Sequence, residues 1–291
     1  MAVRRRRRHP ARKLLIWLLL LAGLVLWTLW GNTAPQLTSV TYSISALPRE
    51  FEGYRVVQVS DLHDAQLGKG NARLIELVKE ARPDLIVVTG DIIDSNRLNI
   101  ERSADTVAQL TLLAPVYCVT GNHEAALRRE DYQRLKQALA QAGAVLLEDQ
   151  SVLLRRGGAA IQLLGLQDIG FYPGGMRDKR AKLNNALTLL ADRSLFTLGL
   201  SHRPELLDCY AQSALDLVLC GHAHGGQVRL PLIGGLFSPG QGLFPRYTSG
   251  SYAIAPNKTM IVSRGIGNSK FPLRVNNRPE VVLIELRGKG N

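Results

Sequence analysis

Cysteine is scarce. The 291-residue chain holds three, Cys118, Cys209 and Cys220. An odd number without regular spacing excludes a disulfide framework and a zinc-finger pattern, and it reads as three buried free thiols. Internal repeats are missing, and so is low complexity beyond one arginine run. Basic stretches interleaved with aromatics are missing too. The net charge is +12, yet Arg4, Arg5, Arg6, Arg7, Arg8, Arg12 and Lys13 alone supply seven of the positive charges. The basicity belongs to the N-terminal tip, so no nucleic-acid partner is indicated. An apolar content of 46% with 21% charged residues excludes a disordered chain.

One long hydrophobic run is present. Leu14 to Trp30 carries no charge, and its length as a helix, ~25 Å, is near the short end for crossing a bilayer. Trp17, Trp27 and Trp30 lie toward its ends, where indole rings favour the membrane interface. The charge imbalance across the run predicts a cytoplasmic N-terminus and a single-pass cell-membrane protein with its folded domain on the outer face. The expected division is a basic cytoplasmic tip over 1–13, a transmembrane helix over 14–30, a linker and first strand over 31–50, and one folded domain over 51–291. The alternative is export followed by signal cleavage, for which "GNTAPQ" is a poor site.

Beyond residue 50 the pattern alternates. "YRVVQVS", "DLIVVTG" and "PVYCVTG" read as strands, separated by helical spacing in "NARLIELVKEA" and "ERSADTVAQLTLL". A third helix, "EDYQRLKQALAQAG", closes at Gly143. Such alternation implies right-handed crossovers and a largely parallel sheet. "AVLLED", "SVLLRR" and "AIQLLGL" then crowd together, which predicts a change to antiparallel hairpins. A helix around 178–192, the strand "LFTLGLS", a helix from Pro204 and the strand "LDLVLCG" follow. The C-terminal third is rich in Gly and Pro and ends in "TMIVSRG" and "EVVLIELRG". One domain built on two sheets fits best.

Six histidines occur in the chain, and His9 belongs to the basic tip. The other five, His63, His123, His202, His222 and His224, each follow a predicted strand, and Asp61, Asp91 and Asn122 stand in the same kind of place. Ligands of open α/β sheets bind outside the carboxyl ends of the strands. Imidazole and carboxylate together suit Zn, Fe, Mn or Co. Asp61, His63, Asp91, Asn122, His202, His222 and His224 are more donors than one ion with an open position needs, and two ions sharing a carboxylate would use them all. His222 and His224, one residue apart in extended conformation, are expected to point to the same side and serve one ion each.

The blocks DLH at 61–63, GDIID at 90–94, GNHE at 121–124, His202 and GHAH at 221–224 resemble the calcineurin-like metallophosphoesterases. The tail "VSRGIGNSKFPLRVNNRPEVVLIEL" resembles the subfamily of small bacterial membrane- or cell-wall-associated phosphodiesterases, which extends the likeness over 54–287. The resemblance implies a four-layer αββα sandwich of two mixed β-sheets. It implies that Asp61, His63, Asp91 and His224 hold one divalent ion. It implies that Asp91, Asn122, His202 and His222 hold a second, with Asp91 bridging. His123 would then be the non-ligand catalytic histidine, acting on the phosphate or the leaving group. Asp94 and Glu124 would orient the ligands or catalytic histidines from behind, while Asp64 reads as a solvated loop residue.

The activity implied is metal-dependent hydrolysis of a phosphoester, a diester or a monoester. The alternatives are a pyrophosphatase acting on a nucleotide sugar or lipid diphosphate with the same metal pair, and, more distantly, a metal-stabilised binding module without turnover. The anchor makes lipid-linked or envelope phosphoesters attractive substrates. Phe171, Tyr172, Phe237 and Phe244, in Gly/Pro-rich loops, allow two readings, an apolar rim for a lipid and, favoured over it, ordinary loop packing.

Overall fold

The computed structural model describes residues 10–268 and 271–289. The arginine-rich tip up to His9 lies outside the described residues. Helix α1, Pro10–Thr33, contains the charge-free run. Among the described residues it is the one helix long and apolar enough to cross a membrane, with a mean hydropathy of 2.2, and none of its apolar window is covered by protein. Two residues later the chain enters strand β1, Gln36–Ile44.

The first half of the domain is β2 (Arg55–Val59), α2 (Ala72–Glu80), β3 (Leu85–Thr89), α3 (Ile100–Thr111), β4 (Val116–Val119), the single turn α4 (Asn122–Ala125), α5 (Arg129–Gln141) and β5 (Val145–Leu146). The second half begins with the hairpin β6 (Gln150–Arg156) and β7 (Ala159–Gly165). Then come α6 (Met176–Leu190), β8 (Thr197–Leu200), α7 (Leu207–Gln212) and β9 (Leu217–Cys220). Two short ribbons follow, β10 (Arg229–Leu230) with β11 (Gly234–Gly235), and β12 (Phe237–Ser238) with β13 (Gly242–Leu243). The chain finishes with β14 (Gly250–Ala255), β15 (Lys258–Val262) and β16 (Glu280–Gly288).

The strands form two six-stranded mixed sheets, in the orders β1-β16-β2-β3-β4-β5 and β14-β15-β9-β8-β7-β6. In the first, β2 to β5 run parallel, β16 is antiparallel to β2, and β1 lies parallel to β16 over nine residues. The expected group of hairpins is therefore only partly present. β6 and β7 do pair antiparallel, but "AVLLED" contributes the two-residue β5, parallel to β4 at the edge of the other sheet. The chain changes sheets between them, at Asp149, which takes a left-handed backbone and binds Gln167 and the Tyr172 hydroxyl through its carboxylate.

Three apolar layers hold the four-layer sandwich together. Alternate residues of each strand point to opposite faces. Val57 and Val59 on β2 and Ile86 and Val88 on β3 pack outward on Leu74, Val78, Val107, Leu110 and Leu135 of α2, α3 and α5. Val56, Leu85 and Val87 point inward, against Leu163, Leu198 and Leu219 of the second sheet. The outer face of that sheet, Leu164, Val218 and Met260, packs on Leu183 and Leu187 of α6 and Tyr210 of α7. Burial on both faces explains why the parallel strands read as continuous apolar runs. Each fully buried aliphatic side chain is worth about 1.5–3 kcal/mol. One polar side chain breaks this rule usefully. Gln58 is fully buried on β2, and its amide donates to Thr89 Oγ1 and to Cys220 O, both at 2.9 Å, stapling one sheet to the other beside the strand ends.

Candidate metal centre

The carboxyl ends of β2, β3, β4, β8 and β9 meet at one edge of the sandwich, where the two sheets face each other. Backbone shape there is unusual. Asp61, His63, Asp91, His222 and His224 all have positive φ, between 46° and 67°. Non-glycine residues rarely adopt this left-handed conformation, and clusters of it mark functional sites. The turn at Gly221–Gly226 therefore differs from the sequence expectation. His222 and His224 are not extended; each is left-handed, with Ala223 helical between them. The left-handed turns send the two rings to different clusters.

In the first cluster, the donor atoms of Asp61, His63, Asp91 and His224 lie within 4.8 Å of one another. His224 Nε2 stands 3.2 Å from His63 Nε2 and 3.5 Å from Asp61 Oδ1. In the second, Asp91, His202 and His222 meet the same limit. His222 Nδ1 is 3.1 Å from His202 Nε2, which is also 3.2 Å from Asn122 Oδ1. Asp91 Oδ2 belongs to both, at 3.5 Å from His63 Nε2 and 3.2 Å from His202 Nε2. All seven ligand candidates converge, with Asp91 between the two groups.

The donor set fits cations. Ring nitrogens facing one another at 3.1–3.2 Å can hydrogen-bond only if one of each pair holds a proton; a positive ion between them serves both lone pairs. His63 Nδ1 and His222 Nε2 are buried without a hydrogen bond. Burial makes charge expensive here. It pushes the Asp61 carboxyl up to about 6, His63 down to about 4, and His222 and His224 well below the usual imidazole range. Neutral imidazole is the form that ligates metals. For Asp91, burial opposes the charge, but His202, His63 and His123 outweigh it and hold the carboxylate well below its ordinary range.

Close packing fixes these groups. A Cβ on Gly121 would strike the Asp91 carboxylate, and a Cβ on Gly90, at φ +87°, would lie 2.5 Å from His202 Nδ1. His202 Nδ1 donates to Thr89 O at 2.8 Å, which turns Nε2 toward Asp91 and Asn122. Burial opposes charge on this ring, but the Asp91 and Asp61 carboxylates outweigh it and push it up to about 10, so an ion there takes the place of the Nε2 proton.

His123 is placed differently. The Ser95 N–H, which can only donate, points at His123 Nδ1 from 2.9 Å. The ring proton of neutral His123 therefore sits on Nε2. A third group, His63, Asp94 and His123, also lies within 4.8 Å. It is a poor ion site, because Asp94 is already paired with Arg97 at 2.9 Å and bound by Asn96, and His123 Nδ1 already accepts a hydrogen bond from Ser95 N–H. Asp94 Oδ1 stands 3.4 Å from His123 Nδ1 and backs that ring.

Glu124 acts on backbone and not on a histidine. Its carboxylate accepts the N–H groups of Asp91, Ile92, Ile93 and Gly121 at 2.6–3.1 Å. Asp64 corrects the expectation of a solvated residue. It is buried, and it accepts from Asp94 N at 3.1 Å, Asn99 N at 3.2 Å and Ser103 Oγ at 2.8 Å. It holds the loop that carries Asp94.

Several participants escaped the sequence reading. Glu205 Oε1 stands 3.6 Å from His222 Nε2, a carboxylate facing that ring. Arg203, directly after His202, pairs with buried Asp168 at 2.6 Å. Arg274 is fully buried, donates to Gly267 O at 2.6 Å and Arg264 O at 2.7 Å, and reaches His224 Nδ1 at 3.3 Å. The signal available for Glu205 was its three-residue distance from His202; Arg274 had none, since a lone arginine 50 residues downstream looks like surface.

A cavity of about 260 Å³ opens over the centre, lined by Asp91, Asn122, His123, His222 and His224 below and Phe237, Pro239 and Phe271 above. The two readings of the loop aromatics divide here. Phe237 is in it. Phe171 instead packs on Tyr132 with ring centroids 4.9 Å apart, Tyr172 is buried on Asp149, and Phe244 lies outside the lining. Phe271 takes their place. A larger hollow of about 500 Å³, around Phe196, Asp216 and Lys258, lies at the opposite ends of β8, β9 and β15 and contains none of these histidines.

A strand-end centre of this composition, on a two-sheet αββα sandwich, defines a metal-dependent hydrolase of phosphoesters. The calcineurin-like phosphoesterase profile matches residues 54–226, and the chain belongs to that family. It is similar to the Escherichia coli K12 protein named phosphodiesterase YaeI, 30% identical over 236 residues that cover 80% of this chain and 82% of that one. It is also similar to a Danio rerio transmembrane protein with metallophosphoesterase domain, 27% identical, covering 87% of this chain and 57% of the relative. The fold is like that of TT1561 of Thermus thermophilus, with a TM-score of 0.50 and 11% identity over 73% of this chain and 90% of that one.

Proposed function

We propose that this chain is a membrane-anchored, dinuclear phosphodiesterase whose substrates carry an apolar, lipid-like group. The observation that carries the reading is the position of Asp91, one carboxylate oxygen of which faces both donor clusters. Asp61, His63, Asp91 and His224 would hold one divalent ion, and Asp91, Asn122, His202 and His222 the other. When bound, such a pair neutralises phosphate oxygens and acidifies water toward neutrality. The chain's own part is orientation and hydrogen bonding. His123 Nε2–H points a donor toward the leaving oxygen, where negative charge develops. Phe237 and Phe271 seat the apolar part of the substrate at the mouth. The basic residues clustered before the apolar run, against Arg49 alone between Gly31 and Glu50, favour a cytoplasmic N-terminus with the domain outside.

The test uses the full-length chain purified in detergent. Elemental analysis is expected to find two ions per chain, with Mn, Fe, Zn and Co compared for activity on an aryl phosphodiester. Asp91→Ala is expected to lose hydrolysis and bound metal together; full retention of both overturns the assignment. Phe237→Ala and Phe271→Ala are expected to lower kcat/KM on lipid-linked phosphodiesters and diphosphates while sparing soluble ones. Equal effects on both discard the apolar-group reading. A preference for diphosphates or monoesters in the same panel replaces the diesterase assignment. Protease access to the domain in spheroplasts, but not to the tip, checks the orientation.

A further inference from the structure

Apolar side chains outside α1 are not left exposed at random. Among the described residues, most of those that are large and exposed fall in two short segments, 230–244 and 271–273. The β10–β11 tip is the extreme case. Leu232 is fully exposed and held in a left-handed backbone, φ 66°, with Ile233 exposed beside it. Leu243 and Phe244, on the β12–β13 ribbon, are exposed by more than 60%. Water is a poor environment for such a set, and patches of this kind mark interaction sites.

The two segments are one surface. Gln227 Nε2 donates to Phe271 O and Leu273 O at 2.9 and 3.1 Å, Val228 bridges to Val275, and Asn276 donates to Arg229 O at 3.2 Å. That surface is continuous with the end of α1. Asn32, in the last turn of the helix, clasps the backbone of Arg274 from both sides, donating to its carbonyl at 2.7 Å and accepting its N–H at 2.8 Å. Arg278 stacks on Trp30 at 4.8 Å and donates to Ala34 O at 2.8 Å. The apolar loops are thereby fixed to the point where the helix leaves the domain.

Charge identifies the partner. Between Asp216 and Glu280 the sequence contains seven Arg and Lys and no Asp or Glu. Arg246 is exposed beside Phe244 and lies over the Tyr247 ring. Exposed aliphatic and aromatic tips with the exposed cation Arg246 beside them, in loops whose sequence holds no Asp or Glu, match the interface of an anionic bilayer.

We infer that the β10–β13 loops, with Phe271 and Leu273, dip into the lipid interface beside α1, so that the cavity over the metal centre opens onto the membrane surface. Phe237 and Phe271, which belong to both the loop surface and the cavity lining, make the connection. This inference rests on the anchoring of α1 proposed above, and the experiment separates the two.

The native cysteines are buried, so Leu232→Cys and, as control, Leu189→Cys on α6 can each be labelled with an environment-sensitive nitrobenzoxadiazole in the full chain. The labelled proteins are reconstituted into phosphatidylcholine–phosphatidylglycerol vesicles with and without brominated lipid. The three tryptophans all lie in α1, so their quenching reports the anchor alone. The expected result is quenched tryptophan and a blue-shifted, quenched label at 232, with the label at 189 unaffected. Quenched tryptophan with a label at 232 as wet as that at 189 overturns this inference and leaves the anchor standing. Unquenched tryptophan overturns the anchor and this inference with it.

Discussion

Glu124 underpins Asp91 through the backbone: its Oε2 accepts the Asp91 N–H at 2.9 Å and, from the other side, the Gly121 N–H at 2.6 Å. One buried carboxylate thus sets the spacing between the β3 and β4 ends. Glu124→Gln keeps the shape but turns an amide NH2 toward N–H donors. Metal affinity is expected to fall about 10–100-fold, as is usual for such supporting partners, with circular dichroism unchanged. Titration of stripped protein with Mn or Zn measures it, and wild-type affinity would remove Glu124 from the site.

The His123 ring stands outside both ligand clusters, and its Nδ1 is already engaged by Ser95. His123→Ala is expected to keep both ions and lose about 10²–10⁴ in kcat. His123→Gln, which retains a donor, should recover part of the loss. Loss of metal in His123→Ala would make it a ligand.

Asp64 supports the loop behind His123. Asp64→Ala strands the Asp94 and Asn99 N–H groups, at a cost of about 3 kcal/mol, while the Ser103 hydroxyl keeps Ile92 O as its acceptor. A solvated loop residue would give a change within about 0.5 kcal/mol. Urea unfolding distinguishes these outcomes.

Removing the metals should destabilise the fold itself. Without them, the Asp61 and Asp91 carboxylates and four imidazoles stay crowded in a dry space. Ions present at a thousandfold over their Kd contribute about 4 kcal/mol to stability. Calorimetry with and without a chelator is expected to show a lower Tm for the stripped protein, restored by adding metal. An unchanged Tm would mean that the clusters hold nothing.

The sequence exposed the site better than the frame around it. Each of the blocks DLH, GDIID, GNHE and GHAH follows a buried strand, so local pattern alone placed their residues at one edge. β1 was harder. Its partner β16 lies some 240 residues away, and pairing over such a distance leaves no local trace. The left-handed turns at His222 and His224 were hidden for another reason: non-glycine residues there are held by surrounding contacts, not by their own preference. Asp64 departs from expectation because a charged residue after a strand is usually wet; only the fold supplies the three donors that make burial tolerable. Loop aromatics can turn either way, and here Asp149 and Tyr132 claim Tyr172 and Phe171, the ordinary packing the sequence favoured.

Asp61 and His224, partners in one cluster, are separated by most of the domain; the first half supplies Asp61, His63, Asp91 and Asn122, and the second His202, His222 and His224. No fragment of the chain carries a complete ion site. The polypeptide must therefore close both sheets on one another unaided before it can capture either ion tightly, which makes metal capture a late step that follows slow, long-range pairing. An assay of metal uptake during refolding would then also clock the docking of the two halves.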